Sequence, residues 1–137
     1  MRRDWWAELT DAPDATQDNQ RDQSELIRRG VELFNKEQYF ECHEVLEQAW
    51  LAAQGEEKLA LQGLIQVAVA FHHLRRENFV GAERLLRAGV IKLSENDTSH
   101  LLIRVSELIA AVEPLLLLLR DGGARADFPR PEIQHVF

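Results

Sequence analysis

The sequence predicts an all-α protein, a compact bundle of about five helices built from antiparallel helical hairpins and weakly repeat-like. Three observations lead there. Apolar residues recur three and four positions apart through most of the chain, the spacing of one helix face. Short polar breaks separate those segments, which favours antiparallel neighbours. Only 7 glycines and 4 prolines occur, too little turn chemistry for many short strands. At 137 residues the chain fits one domain able to bury a core without metal or disulfides.

Residues 1–21 read as an N-terminal arm, polar and without period from Thr10 to Gln20. Trp5 and Trp6 stand out there, because tryptophans in an arm dock on the domain or on a partner. A helical domain follows over residues 22–121. Its first helix is expected over about 22–37, with Asp22 and Glu25 at capping-box spacing and Ile27, Val31 and Phe34 as the apolar stripe. A second helix carries Tyr39 to Trp50 and ends near Gln54 and Gly55, where glycine suits a C-terminal cap. The third, over about 56–76, opens on Glu56 and Glu57 and closes on Arg75 and Arg76, both matching the helix dipole. It is apolar nearly all round, so it is central.

Asn78 caps the fourth helix, which presents Ala82, Leu85, Leu86, Val90 and Leu93. The fifth is expected to start near Asp97, Thr98 and Ser99 and to carry Leu101, Leu102, Val105, Leu108, Ile109 and Val112. Pro114 should kink it or start a new segment, because it has no N–H to donate. Residues 122–137, with Pro129 and Pro131, should form an extended tail. A faint internal repeat sets Phe40, Glu44 and Leu46 against Phe79, Glu83 and Leu85, an offset of 39 residues. Helical-hairpin arrays have repeats of about that length.

The formal charge of −7 argues against binding DNA or an anionic membrane. No apolar leader follows Met1, and the most apolar stretch is broken by Arg104, Glu107, Glu113 and Pro114. Cys42 has no partner for an internal disulfide, so a cytoplasmic location is expected. The run Leu115 to Leu119 covers every side of a helix. It is either a buried end of the bundle or an oligomer contact, and a homodimer is expected, with a protein partner also conceivable.

The chemistry lies in the second and third helices. His43, Glu47 and Trp50 share one face, with Glu44 on its flank. Gln62, Gln66 and His73 form a matching stripe, while His72 lies on another face, near Ile65 and Ala68. An antiparallel hairpin lets the two stripes meet. One reading is a site in which His43, Glu44, Glu47 and His73 do catalytic work and Trp50, Gln62 and Gln66 bind. Imidazole plus carboxylate suffices for acid–base chemistry or for a divalent metal such as zinc or iron. The preferred reading is a buried hydrogen-bond network in which Glu47 holds the His43 ring. No cofactor or tightly held metal is expected. The three metal candidates, His43, Glu47 and His73, would make an open ligand set rather than a closed structural one.

Several motifs fall short. His-Glu-x-x-Glu at His43 lacks the second histidine of a zincin. Glu-x-x-His is absent from the helices a di-iron bundle would need. Cys42 points about 100° from His43 and reads as an inert core thiol. The basic group Arg75, Arg76, Arg84, Arg87 and Lys92 reads as a solvated face.

Taken together, Phe34-Asn35, Phe40-Glu41, His43-Glu44, Leu46-Glu47 and Trp50 resemble the signature of the family called domain of unknown function 309. Leu61-Gln62-Gly63-Leu64-Ile65-Gln66, Ala68, His73, Asn78 and Gly81-Ala82 resemble its second motif. The resemblance covers about residues 26–93. It implies an all-α fold of prokaryotic type with no established activity, and it singles out His43, Glu44, Glu47, Trp50, Gln62, Gln66 and His73. The expected function is a non-catalytic interaction or scaffold module; the alternative is a small metal-assisted or acid–base hydrolase using the same cluster.

Overall fold

The structure, a computed structural model, describes residues 19–122 and 130–136, with side chains from Asp22 onward. Five α-helices occur among the described residues: α1 (Asn19–Asn35), α2 (Tyr39–Ala52), α3 (Gly55–Arg75), α4 (Phe79–Glu95) and α5 (Val105–Arg120). A 3-10 turn, Ser99–Leu101, precedes α5. Each helix packs on the next, so α3 lies between α2 and α4. The fold is all-α, and no described helix is long and apolar enough to cross a membrane. Trp5, Trp6 and residues 123–129 of the tail lie outside the described residues.

α1 starts at Asn19, ahead of the expected position, so Asp22 sits in its first turn instead of capping it. Glu25 is drawn to Arg28, which also reaches Glu32 one turn on. Ile27, Val31 and Phe34 form the buried stripe.

The α1–α2 and α3–α4 corners are the same structure built twice. Glu37 and Glu77 adopt left-handed backbone, φ 62° and 59°. The N–H of Glu37 reaches the Phe34 carbonyl at 2.9 Å, and that of Gln38 reaches Leu33 at 2.9 Å. At the second corner the N–H of Glu77 reaches Leu74 at 3.0 Å and that of Asn78 reaches His73 at 2.9 Å. This is the paired bonding of a Schellman cap, with glutamate where glycine is usual. It corrects the repeat offset from 39 to 40 residues, since Glu37 corresponds to Glu77. In that register the buried positions coincide: Cys42 with Ala82, Val45 with Leu85, Leu46 with Leu86, Ala49 with Gly89 and Ala53 with Leu93. Matching Phe40 to Phe79 follows side-chain identity, whereas the backbone pairs Phe79 with Tyr39.

α2 ends at Ala52, and Gly55 opens α3 with φ +63°. The glycine therefore starts a helix rather than capping the one before. Between residues 60 and 71 α3 is buried on every side. Phe34, Tyr39 and Phe71 form an aromatic knot at its C-terminal half, with ring centroids 5.2–5.6 Å apart. The Asn78 side chain accepts the Gly81 N–H at 3.1 Å, the expected cap of α4.

The fifth helix begins at Val105, not near Ser99, and Leu102 is not on its stripe. Leu102 adopts left-handed backbone, φ 57°, and its side chain is exposed. The cause is the tail. Ile103 bridges His135, the Arg104 N–H reaches the Gln134 carbonyl at 2.8 Å, and the Val136 N–H reaches Leu102 at 3.0 Å. That pairing takes residues 102–104 out of the helix, with Leu102 in left-handed backbone and Ile103 in the bridge. Pro114 lies within the continuous span of α5 rather than starting a new segment. It is on the exposed face, and so is Ala110, whose carbonyl it leaves without a helical donor.

The described tail is extended and strapped to the α1–α2 corner. The Asn35 side-chain amide donates to the Ile133 carbonyl at 2.9 Å and its oxygen accepts the Ile133 N–H at 2.7 Å. Ile133 is buried, and Arg130 joins Arg75 on the Glu37 carboxylate. Asn35→Ala should cost about 1–2 kcal/mol, two part-buried hydrogen bonds at their usual net value. Chemical denaturation reads the loss, and amide exchange at Ile133 should quicken. Unchanged stability with Ile133 still protected would contradict the clamp.

Candidate functional site at the α2–α3 interface

The antiparallel register of α2 and α3 follows from three contacts. Tyr39 meets Phe71 at 5.4 Å, Phe40 meets His72 at 5.4 Å, and the Lys58 ammonium lies 4.1 Å from the centre of the Trp50 ring. This register puts His43 level with Gln66 and Glu47 level with Gln62. One turn apart on α2, His43 Nε2 and Glu47 Oε2 are 3.4 Å from each other. His43 is 5% exposed, Gln66 is 4% exposed and Trp50 is fully buried. The helical spacing that made the residues neighbours also turned them inward, because Cys42, Leu46 and Ala49 beside them pack into the core.

Not every candidate joins this cluster. Glu44 is exposed, because its position falls on the outer flank of α2. His73 is half-buried at the far end of α3, where its Nδ1 lies 3.4 Å from Asn78 Nδ2 at the α3–α4 corner. It is level with the turn before α2 rather than with His43. Among the described residues no three His, Cys, Asp or Glu side chains converge as a metal site, so His43, Glu47 and His73 do not form a ligand triad.

Two residues enter that sequence reasoning set aside. The Phe40 ring lies 5.5 Å from His43 and 5.4 Å from His72, so it spans the two imidazoles. His72, expected on a separate face, therefore reaches the edge of the cluster. Burial is the first cause holding His72 below the usual histidine range, with His73, Arg76 and Arg75 adding repulsion. The spacing Phe40-x-x-His43 is the signal that could have found Phe40.

Tyr39 and Cys42, which flank the cluster, keep their protons at neutral pH. Burial pushes the Tyr39 phenol up to about 12 and the Glu37 carboxylate adds to it, while Arg75, 5.1 Å from its ring centre, pulls the other way. Burial also pushes the Cys42 thiol up, which makes it a protonated core residue. In the basic group Arg75 pairs with Glu37 and Arg87 with Glu83, and Arg76 and Arg84 are exposed. Lys92 departs from a solvated face: it is half-buried, and burial lowers its pKa. Chemically, the cluster offers one imidazole steadied by one carboxylate, closed in by apolar neighbours.

Stacked helical hairpins enclosing a small polar pair define the class of protein. Residues 27–85, from α1 into α4, match the family model described as Domain of unknown function (DUF309), the family that the motifs of α2 and α3 resemble. The chain is similar to "Uncharacterized protein YpuF" of Bacillus subtilis (strain 168), 46% identical over 57 residues, which cover 41% of this chain and 33% of the relative. It is also similar to an uncharacterized protein of Aquifex aeolicus (strain VF5), 24% identical over 95 residues, 69% of this chain and 28% of the relative. The chain thus spans about a third of the length of the curated relatives it matches.

Proposed function

We propose that this chain is a non-catalytic interaction or scaffold module in which His43, Glu47 and the two glutamines fix the packing of α2 on α3. The burial of the His43 imidazole, 5% exposed, carries this reading. A general base needs to reach a substrate proton at about 2.6–3.2 Å. A ring walled in by its own core does so only if α2 and α3 part. As a structural element the same ring specifies register, since a slipped helix would leave it beside carbon alone.

Stability of single and double variants tests the proposal. His43→Ala and Glu47→Ala should each cost about 1–3 kcal/mol, because each strands a buried polar partner. The double variant should lose less than the sum. Single variants as stable as the parent would overturn the structural role and favour a hydrolase, whose polar groups are held at the expense of stability.

The module further acts, on this proposal, as a homodimer in the cytoplasm, without cofactor or DNA. Its charge of −7 supports the last point. For the dimer, the support is α5. Leu108, Val112, Leu115 and Leu119 bury one side of that helix, while Ala110, Ala111, Pro114, Leu117 and Leu118 lie exposed on the other. A helix apolar on both sides needs a second neighbour. Light scattering should give twice the monomer mass, and Leu117→Glu with Leu118→Lys should return the monomer mass. A parent that stays monomeric at high micromolar concentration would contradict the assembly.

A further inference from the structure

We propose that the cavity between α1, the first turn of α3 and the Ser99–Leu101 turn is a binding site for an alkylammonium group, held by Glu57 and His100 and packed by Ile27 and Leu102. The cavity has a volume of about 280 Å³, and its described walls are Gln23, Ser24, Ile27, Glu57, His100 and Leu102. That is near the lower end of ligand pockets, roughly 300–1,000 Å³. It is separate from the α2–α3 cluster and does not depend on it.

Three independent features coincide there. Both ring nitrogens of His100 are buried; one lies toward the Glu57 backbone, and neither makes a well-aligned hydrogen bond among the described residues. His100 is nonetheless carefully placed. Asp97 Oδ1 accepts the Ser99 N–H at 2.9 Å, and Glu56 Oε1 accepts the Asp97 N–H at 2.8 Å, tying the turn to α3. At the rim, Leu102 holds left-handed backbone that costs a residue with a Cβ about 1–2 kcal/mol. The tail supports it through the Val136 N–H on the Leu102 carbonyl. Strain and unsatisfied polar atoms that meet at one cavity mark a site.

The donor and acceptor chemistry selects the ligand. Burial holds His100 below the usual histidine range, against the Glu57 and Asp97 carboxylates and the Glu57 backbone. A neutral ring offers one nitrogen as acceptor. Glu57 adds a carboxylate and Ser24 a hydroxyl oxygen. The Gln23 amide already donates to the Ala49 carbonyl at 3.1 Å, leaving its oxygen as acceptor. A set of acceptors around one carboxylate suits the three donors of an ammonium, and Ile27 and Leu102 suit its methylene stem. The N-terminus of α3 opposes a cation with roughly half a charge, which Glu56 and Glu57 in the same turn outweigh. Anions meet those carboxylates. Among the described residues no metal ligand triad converges there either. The ammonium belongs to a free linear amine or to a lysine side chain of a partner.

Amide NMR spectra of the full chain at neutral pH test the site with four probes: a linear four-carbon diamine, a short lysine peptide, butanol and inorganic phosphate. We expect saturable shifts of Ser24, Ile27, Glu57 and His100 with millimolar diamine, lysine peptide or both. Butanol and phosphate should produce none. Glu57→Gln, at an exposed position where the fold loses only a helix-dipole interaction and the melting temperature falls slightly, should weaken binding about tenfold through loss of the charged acceptor. His100→Phe should weaken it as well. Saturation by the peptide alone assigns the ammonium to a partner's lysine, and saturation by the diamine assigns it to a free amine; both uphold the site. No saturable shift with either amine would overturn it, as would equal affinity in Glu57→Gln or an equal response to butanol.

Discussion

Trp50→Ala should remove about 3–5 kcal/mol of stability, the usual cost of emptying a large aromatic site in a core. Trp50 is fully buried, and the ammonium of Lys58 lies over its ring. Truncation therefore opens a cavity between α2 and α3 and leaves Lys58 without its aromatic face. A loss of this size is a large fraction of the 5–15 kcal/mol that holds a domain together. Trp50→Phe should behave differently. The indole Nε1 is buried with no hydrogen-bond partner among the described residues, so phenylalanine removes volume and an unsatisfied donor at once. The cost should fall to about 1 kcal/mol. Urea denaturation of both variants checks the contrast; equal losses would mean that the indole N–H is satisfied in solution.

The second large effect is expected where α3 and α4 touch. A methyl group on Gly89 would lie 2.7 Å from the Gly63 carbonyl oxygen and 2.9 Å from Val67 Cγ2. One on Gly63 would lie 2.9 Å from the Gly89 carbonyl oxygen and from Lys92 Cβ. Backbone stands against backbone at this crossing, so neither side can yield by rotating a side chain. Alanine gains up to about 1 kcal/mol in helix propensity over glycine. Forcing two packed helices apart costs about 1–3 kcal/mol or more. The second term wins, so Gly89→Ala and Gly63→Ala should both destabilise. Their combination should cost less than the sum, because the first substitution already separates the helices. A more stable Gly89→Ala protein would show that the crossing is looser than described.

The helices were legible because their signals are local. Stripes such as Ile27, Val31 and Phe34, and the cap at Asn78, need only residues a turn apart. The polar pair was legible for the same reason, His43 and Glu47 being one turn apart. What stayed hidden depends on distant partners or on unusual residues. Leu101, Leu102 and Val105 fit a helical stripe, and only the pairing of residues 102–104 with Gln134, His135 and Val136 keeps that segment out of the helix. The two helix ends at Glu37 and Glu77 carry glutamate in left-handed backbone, so no glycine marks them. That is why the repeat was aligned one residue out. His73 looks equivalent to Gln66 on a helical wheel, but the position of a residue along the axis, not only around it, decides what it meets.

The Asn35–Ile133 clamp also orders events in time. Its partners are 98 residues apart in the chain, and the first corner of the fold contains one of them. At about 5–20 residues per second of synthesis, Asn35 emerges on the order of 5–20 seconds before Ile133 exists. Both hairpins can form within that interval from contacts close in sequence, since helical hairpins close far faster than that. The Glu37 carboxylate meets Arg75 during it and Arg130 only afterwards. The tail therefore acts as a latch on a body already built, setting the start of α5 and the rim of the His100 cavity last. A ribosome-bound chain stopped before Ile133 should hold its first four helices while the segment at Leu102 can still join α5 as helix.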